Sequence, residues 1–516
     1  MDRTLVHRKI YVLLLCLLAM AMTTSVFFAN LFWFLLLVNW VAEWNWREKF
    51  INFRSNYLLQ AFVTLLLVHL LWMFGGGNWS SGWSVLETCL PLWSVPLVVL
   101  TTPRLGRRNR HLVITVYVTT VLIVSVIGWI RGLTIKDLPY REMVPFVSHI
   151  RFALNVCLVI CLVLCYAVRR MHQQPRAGIL TLCLSLLIVV WLTYFLLLIQ
   201  SYTAFLLLGC LLFVASAWAI YRIHTVKGRV LVTSIFVVAI AGFSFYLYTL
   251  RADYYRPTLL ECQPLASFTA QGNPYSHACD GLIESGGQVN NYISEQELRS
   301  TWPLVSTVDI DSLTPNGYAV YPTLVRYLGS CGLTKDSVGV AQLSQQDVRA
   351  IESGIANHVF VDGGAMRKMV YRLLFEYETY RVTGSVRNSS IGDRVLLWRN
   401  AWQVFCQHPL LGVGTCNAFD ACHEHLQETH SPLAGTQKNI HSQYLSFLVS
   451  FGLLGFLLIV FAFARAAFFR WQPWPFSLVA YVCIVLFSFI GETTLGTLAG
   501  ILFCTLPISF LGDSED

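Results

Sequence analysis

Apolar runs of the length needed to cross a bilayer as a helix, about 20 residues, dominate this chain. They fall at 10–28, 29–45, 54–74, 86–103, 111–130, 150–169, 177–199, 201–221, 229–250, 443–464, 474–490 and 493–511. In lipid every backbone N–H and C=O must be paired within the protein, and a continuous apolar segment meets that demand as a helix. The expected fold is therefore an all-α polytopic membrane protein with about twelve transmembrane helices. Composition agrees: 56% of the 516 residues are hydrophobic and 12% are charged. The first run follows Arg3, Arg8 and Lys9, and the second arrives with almost no loop and no small-residue cleavage site between them. It reads as a retained helix, not a signal peptide.

The cations orient the chain. Arg47, Lys49 and Arg54, then Arg104, Arg107, Arg108 and Arg110, then Arg169, Arg170 and Arg176, then Arg222, Lys227 and Arg229, and finally Arg465 and Arg470 all fall on the side of the N-terminus. By the positive-inside rule that side is cytoplasmic, with both termini on it. The alternate short loops carry no Lys or Arg, except residues 131–151 with four. The net charge of +8 thus reflects topology and not nucleic-acid binding.

The expected division is residues 1–250 with nine helices, 251–442 as one large extracytoplasmic loop, and 443–516 with three helices. Pro, Gly, Ser, Asn and Gln rise in the long loop, and charges return. Six of the fifteen cysteines lie there: Cys262, Cys279, Cys331, Cys406, Cys416 and Cys422. An oxidising compartment favours disulfides among them, with about 15 pairings open. No repeat, low-complexity tract or phosphate-cradling glycine loop is present.

The chemistry gathers in two stretches. In residues 389–419, Ser390-Ile-Gly-Asp393 fits a capping box, and Val395, Trp398, Trp402 and Phe405 recur at helical spacing. This predicts an amphipathic helix in the headgroup layer with Arg394 and Arg399 near lipid phosphates. It ends at His408-Pro409, where Gly412-Val-Gly414 makes a tight turn that lets backbone approach a ligand or a helix. The second stretch, Asn439-Ile-His441-Ser442-Gln443-Tyr444, opens a membrane span. His441 there can accept a proton from a hydroxyl, and Arg394 can hold a phosphate through paired, charge-assisted hydrogen bonds. Glu492, between the last two runs, is an acid at the same boundary.

Together, R-x3-W-x3-W-x6-PLLGVG followed by NIHSQYL-x6-GLLG resembles the O-antigen ligase/polymerase superfamily. The resemblance implies a GT-C-like membrane glycosyltransferase that uses undecaprenyl-diphosphate-linked glycan, with no cofactor and no metal. It also implies the bacterial inner membrane as the location, with the active site on the periplasmic side. It makes His441 the catalytic base, Arg394 a donor diphosphate-binding residue, and Asn439, Gln443, Gly412, Gly414 and Glu492 supporting residues. Many members carry a further Arg in an S-R-x-A pattern, whereas this chain has Tyr202 in QSYTAFLLLG. Arg251, Arg256 and Arg399 are candidate substitutes.

An O-antigen ligase, moving the glycan to lipid A-core, is favoured by the HSQYL-type motif and by a chain that ends directly after the last run. A polymerase and a protein O-oligosaccharyltransferase use the same donor. A flippase or transporter is disfavoured because no broken helices at matching places are apparent and few ionisable residues lie deep in the runs. A structural scaffold leaves Arg394 and His441 unexplained. The run Cys416…Cys422-His423-Glu424-His425…His430 fits no zinc spacing and is read as a disulfide with solvated histidines.

Overall fold

The computed structural model describes residues 3–74, 79–135, 138–260, 265–278, 280–384, 389–469 and 475–511. It is nearly all-α and separates into two compact units, Met1–Thr225 with Asp393–Asp516, and Val226–Gly392. Among the described residues, eight helices are long and apolar enough to cross a membrane, nine when one bent pair is taken as a single span. The chain is a multi-pass membrane protein.

The first unit begins with α1 (Arg3–Thr24), α2 (Val26–Ala42), α3 (Trp46–Ser55), α4 (Tyr57–Leu71) and α5 (Trp79–Thr101). It continues with α6 (Arg107–Thr134), α7 (His149–Gln173), α8 (Pro175–Leu198) and α9 (Tyr202–Arg222). Ser25 alone separates α1 from α2 and caps the latter, its Oγ accepting from the Phe28 N–H at 3.3 Å. The two helices return on each other, so that the His7 ring meets Asn39 at 2.9 Å. α3 turns 114° away from α2. Residues 75–78 lie outside the described residues, and Trp79–Gly82 form the first turn of α5.

At the centre stands α7, whose residues 152–163 are all buried. Burial on every face suits a helix surrounded by others, and α7 packs against α8, α9 and α20 (Phe476–Gly491).

The second unit contains α10 (Val226–Tyr254), a short hairpin of β1 (Ile283–Glu284) and β2 (Gly287–Gln288), and α11 (Glu295–Val305). Then follow α12 (Val320–Ser330), α13 (Ser337–Ala341), α14 (Gln345–Glu352), α15 (Val359–Asp362) and α16 (Ala365–Thr383). Packing groups α10 with the loop because its Tyr254 is buried against Tyr371 of α16, ring centroids 5.0 Å apart, while most of its length is exposed. Leu298, Trp302, Leu324, Leu328, Val340 and Ile351 form the core. Glu297 is the polar hub. It accepts from the Ser337 N–H at 3.0 Å and Oγ–H at 2.6 Å, from Asn273 at 2.9 Å and from Thr269. Burial opposes its charge, but these donors win and hold the carboxyl down at about 2.

The chain then returns to the first unit as α17 (Ser390–Gln407), α18 (Ala418–Glu428), α19 (Gln443–Phe468), α20, a 3₁₀ turn at Thr494–Gly496, α21 (Leu498–Thr505) and α22 (Ile508–Leu511). The start of α17 departs from the expected cap: the Gly392 N–H donates to Ser389 Oγ at 2.9 Å, one residue before the predicted box. Its buried face is a second apolar stripe beside the expected one. Leu397, Ala401 and Val404 are buried, whereas Val395 and Trp402 are exposed. The helix carries two apolar stripes, and the less conspicuous one meets the core.

Candidate functional site

The polar cluster ahead of α19 is mostly scaffolding, and what it holds is His441. Ser442 caps α19 and also donates from Oγ to the Phe489 carbonyl at 3.3 Å. Gln443 is buried, its Oε1 accepting from the Leu495 N–H at 2.9 Å. The Tyr444 hydroxyl donates to the Leu486 carbonyl at 2.9 Å. Three consecutive side chains thus bind the start of α19 to the end of α20 and the turn beyond it. His441 itself adopts φ +53°, a left-handed conformation uncommon for a non-glycine residue. The indole N–H of Trp398 fixes it by donating to its carbonyl at 3.0 Å.

Around His441 the ionisable groups converge. Arg394, in the first turns of α17, donates from Nη2 to Glu492 Oε1 at 2.9 Å and from Nε to the Gly491 carbonyl at 3.2 Å. The other carboxylate oxygen of Glu492 lies 3.7 Å from His441 Nδ1. That is ion-pair range but beyond a hydrogen bond, and the Nδ1 atom is buried without a hydrogen-bond partner. Burial works against the charge on Glu492, but His441 and Arg394 hold its carboxyl below the usual range. One carboxylate therefore joins a guanidinium to an imidazole, with the imidazole Nε2 left for another partner.

A broken helix locks the two halves of this site together. Within α19, Gly452 has φ +62° and ψ −167°, which frees four backbone groups. The loop after α17 takes them up: Val413 and Gly414 N–H donate to the Val449 and Ser450 carbonyls, each at 2.9 Å. Leu453 and Leu454 N–H donate to the Pro409 and Leu410 carbonyls at 2.8 and 3.1 Å. Gly412 and Gly414 take positive φ, and a Cβ on Gly412 would stand 2.5 Å from the Val449 carbonyl. Non-helical backbone at membrane depth is tolerable when protein pairs it. The sequence reading missed this break.

Residues 366–460 match the protein-family model described as O-antigen ligase. This stretch of the chain is similar to that family. The matched residues run from α16 through α17 and α18 into α19, and so include both Arg394 and His441. No curated protein matches the chain. The matched stretch supports the resemblance to the ligase/polymerase superfamily.

The other expected residues divide around this stretch. Arg399 lies about 140° round α17 from Arg394 and is exposed, so it does not join the cluster. Arg251 and Arg256 belong to the second unit, where Arg251 sits 5.4 Å from the Tyr255 ring centroid. Asn439 lines a cavity of about 300 Å³ beside the helices of the matched stretch, together with His69, Asn400, Thr415 and Ser450. That is the lower end of ordinary ligand pockets.

The expected disulfide is absent from the Cys416–His430 run. Cys416 and Cys422 are free thiols buried in different clusters, Cys416 with Met73 and Leu86, Cys422 with Ala401 and Val404. Burial pushes the Cys422 thiol up to about 12. Cys331 and Cys406 are also free, while Cys262 and Cys279 lie outside the described residues. His425 is not solvated but bound to Asn400 at 2.7 Å, and His423 stacks on Phe419.

Sequence reasoning also missed the start of α7. His149 and Arg151 open this helix, where Ser148 Oγ accepts from the Arg151 N–H at 3.4 Å. The signal was available in the cation count of residues 131–151.

Proposed function

We propose that the chain is an O-antigen ligase that transfers a glycan from undecaprenyl diphosphate to a hydroxyl of lipid A-core oligosaccharide. The observation that carries this reading is the convergence of Arg394, Glu492 and His441. Glu492 orients His441 through Nδ1, and the 3.7 Å separation closes to a hydrogen bond when substrate enters, as apo catalytic contacts often do. His441 Nε2 then takes the acceptor hydroxyl proton as that oxygen bonds to the anomeric carbon. The bond from this carbon to the diphosphate oxygen breaks with its electron pair, and Arg394 stabilises the departing anion. A single displacement inverts the anomeric centre. Guanidinium charge does the neutralising, so the transfer proceeds without a metal ion.

The eight long helices, the bent pair and the three shorter apolar helices Tyr57–Leu71, Phe476–Gly491 and Leu498–Leu511 make a GT-C-like set of twelve spans. With cationic loops on the cytoplasmic side of the inner membrane, both termini are cytoplasmic and the Arg394–His441 end is periplasmic. The donor lipid enters laterally between helices.

Profiling lipid-linked glycan, lipopolysaccharide and glycoproteins together in a deletion strain tests the assignment. Long glycan stranded on undecaprenyl diphosphate beside bare lipid A-core is expected. Core capped with single repeats would make the chain a polymerase. Loss of protein glycans alone would make it an oligosaccharyltransferase. No change in any of the three would overturn the reading.

A further inference from the structure

The cavity that Asn439 lines borders both His441 and Glu492. Ile440 and Gln443 stand in its wall on either side of His441, and Thr493 follows Glu492 directly. His69 of α4, Ser84 of α5 and Phe419 of α18 belong to its other sides. Lys438 and Asp420 bring one charge of each sign to the lining, and Lys438 is already paired with Asp393 at 2.5 Å. Neutral hydrogen-bonding groups among aromatic rings make up most of the remainder. We infer that this cavity holds a sugar ring and that His69 accepts a hydrogen bond from one of its hydroxyls; the inference rests on the proposed function.

The local structure prepares His69 for that contact. It sits buried in the last turn of α4, and its Nδ1 meets the Leu65 carbonyl at 2.8 Å. A carbonyl only accepts, so Nδ1 carries the ring proton and Nε2 keeps a lone pair. The residue is held on two further sides. Phe451 meets the ring edge-on with centroids 4.8 Å apart, and Thr415 Oγ1 donates to the His69 carbonyl at 2.8 Å. Among the described residues Nε2 makes no hydrogen bond, although His69 lines the cavity. A polar atom buried without a partner costs free energy that a bound hydroxyl recovers, and ionisable side chains in spans mark functional sites.

The neighbouring groups complete a set that a polyol satisfies. Gln443 gives its Oε1 to the Leu495 N–H, which leaves both hydrogens of its Nε2 as donors. Ser450 is buried, and among the described residues its hydroxyl makes no hydrogen bond, so it can donate or accept. Phe419, Phe447 and Phe451 add apolar surface. A sugar ring matches this mixture, with hydroxyls that donate and accept around its rim and C–H groups on its faces. A phosphate asks for unpaired cations, and an acyl chain would leave the imidazole, the amide and the hydroxyl without partners. The volume of about 300 Å³ is the small end of ligand pockets, which suits a single ring.

The test is equilibrium binding to the full-length protein in nanodiscs of two ligand pairs: lipid-linked glycan against undecaprenyl diphosphate, and lipid A-core against lipid A. It compares wild type, His69→Phe, His69→Gln and Ser450→Ala. Phenylalanine keeps an aromatic ring against Phe451 and removes the acceptor, whereas glutamine keeps an acceptor. In one of the two pairs, His69→Phe and Ser450→Ala should each weaken the sugar-bearing ligand about tenfold with less than about threefold change for its bare partner, and His69→Gln should retain part of the affinity. The pair that responds tells whether the ring belongs to the donor or to the acceptor. An equal loss for both members of a pair, the mark of a merely structural histidine, overturns the inference, as does unchanged binding in both pairs. Either leaves the proposed function standing. A wild-type protein that binds neither lipid-linked glycan nor lipid A-core overturns both.

Discussion

Replacing Gly452 by Ala should dismantle the join between α17 and α19, and the structure sets the size of the effect. The φ/ψ pair of +62° and −167° is essentially reserved for glycine and costs another residue about 1–3 kcal/mol. Rotamer changes give no relief, because the new Cβ would lie 2.3 Å from the Leu410 carbonyl oxygen and 2.5 Å from the Leu411 nitrogen, both backbone. The loop must therefore leave, surrendering its four hydrogen bonds to residues 449–454 at about 0.5–1.5 kcal/mol each. The sum is on the order of 5 kcal/mol, or a fall in melting temperature on the order of 10 °C. Because the loop continues directly from α17, Arg394 loses its register with His441 and transfer activity falls with stability. Thermal unfolding in detergent, paired with a transfer assay, reads both. Gly209→Ala is the control, since nothing lies within 4 Å of its Cβ, and it should be neutral or stabilise by about 0.5–1 kcal/mol. A Gly452→Ala protein that melts with wild type would refute the reasoning.

Trp398→Phe removes the donor to the His441 carbonyl. It should cost about 1 kcal/mol and lower kcat about tenfold with the donor KM nearly unchanged, which steady-state kinetics will show. Glu492→Gln should reduce kcat by about 10². The wild-type carboxyl is depressed by its partners, so its pairing is complete above the unfolded value and fails as pH falls through the folded one. A pH–rate profile should place that acid limb below the ordinary carboxylate range and lose it in the Gln variant. In the second unit, Glu297→Ala removes the acceptor of four hydrogen bonds and should destabilise by about 3 kcal/mol or more, measured by thermal unfolding. With its carboxyl held at about 2, this contribution is full above the unfolded value and is lost as pH drops towards 2.

Apolar length alone located the eight long apolar helices found among the described residues, because lipid leaves the backbone few alternatives. The residues of the central cluster were legible through their motifs, yet the reasons for the motifs were not. Ser442, Gln443 and Tyr444 look chemical beside His441, and each is spent on α20 or the turn after it. On α17, Val395-Trp398-Trp402 and Leu397-Ala401-Val404 are both apolar stripes, and in a membrane protein hydrophobicity does not say which one faces protein. The break in α19 left no trace beyond a glycine in an apolar run, since its cause, the 409–414 loop, is distant in sequence. The second unit resisted reading because its hub, Glu297, is satisfied by residues 24 to 40 positions away.

The central claim is that His441 transfers a proton and Arg394 stabilises a leaving diphosphate. Its most direct test is release of undecaprenyl diphosphate from a lipid-linked glycan by the purified protein in nanodiscs with acceptor present. His441→Ala should lower turnover by about 10²–10⁴ while donor binding stays within about threefold. A His441→Ala protein that releases undecaprenyl diphosphate at the wild-type rate, or one whose loss is wholly a loss of donor binding, would contradict the account.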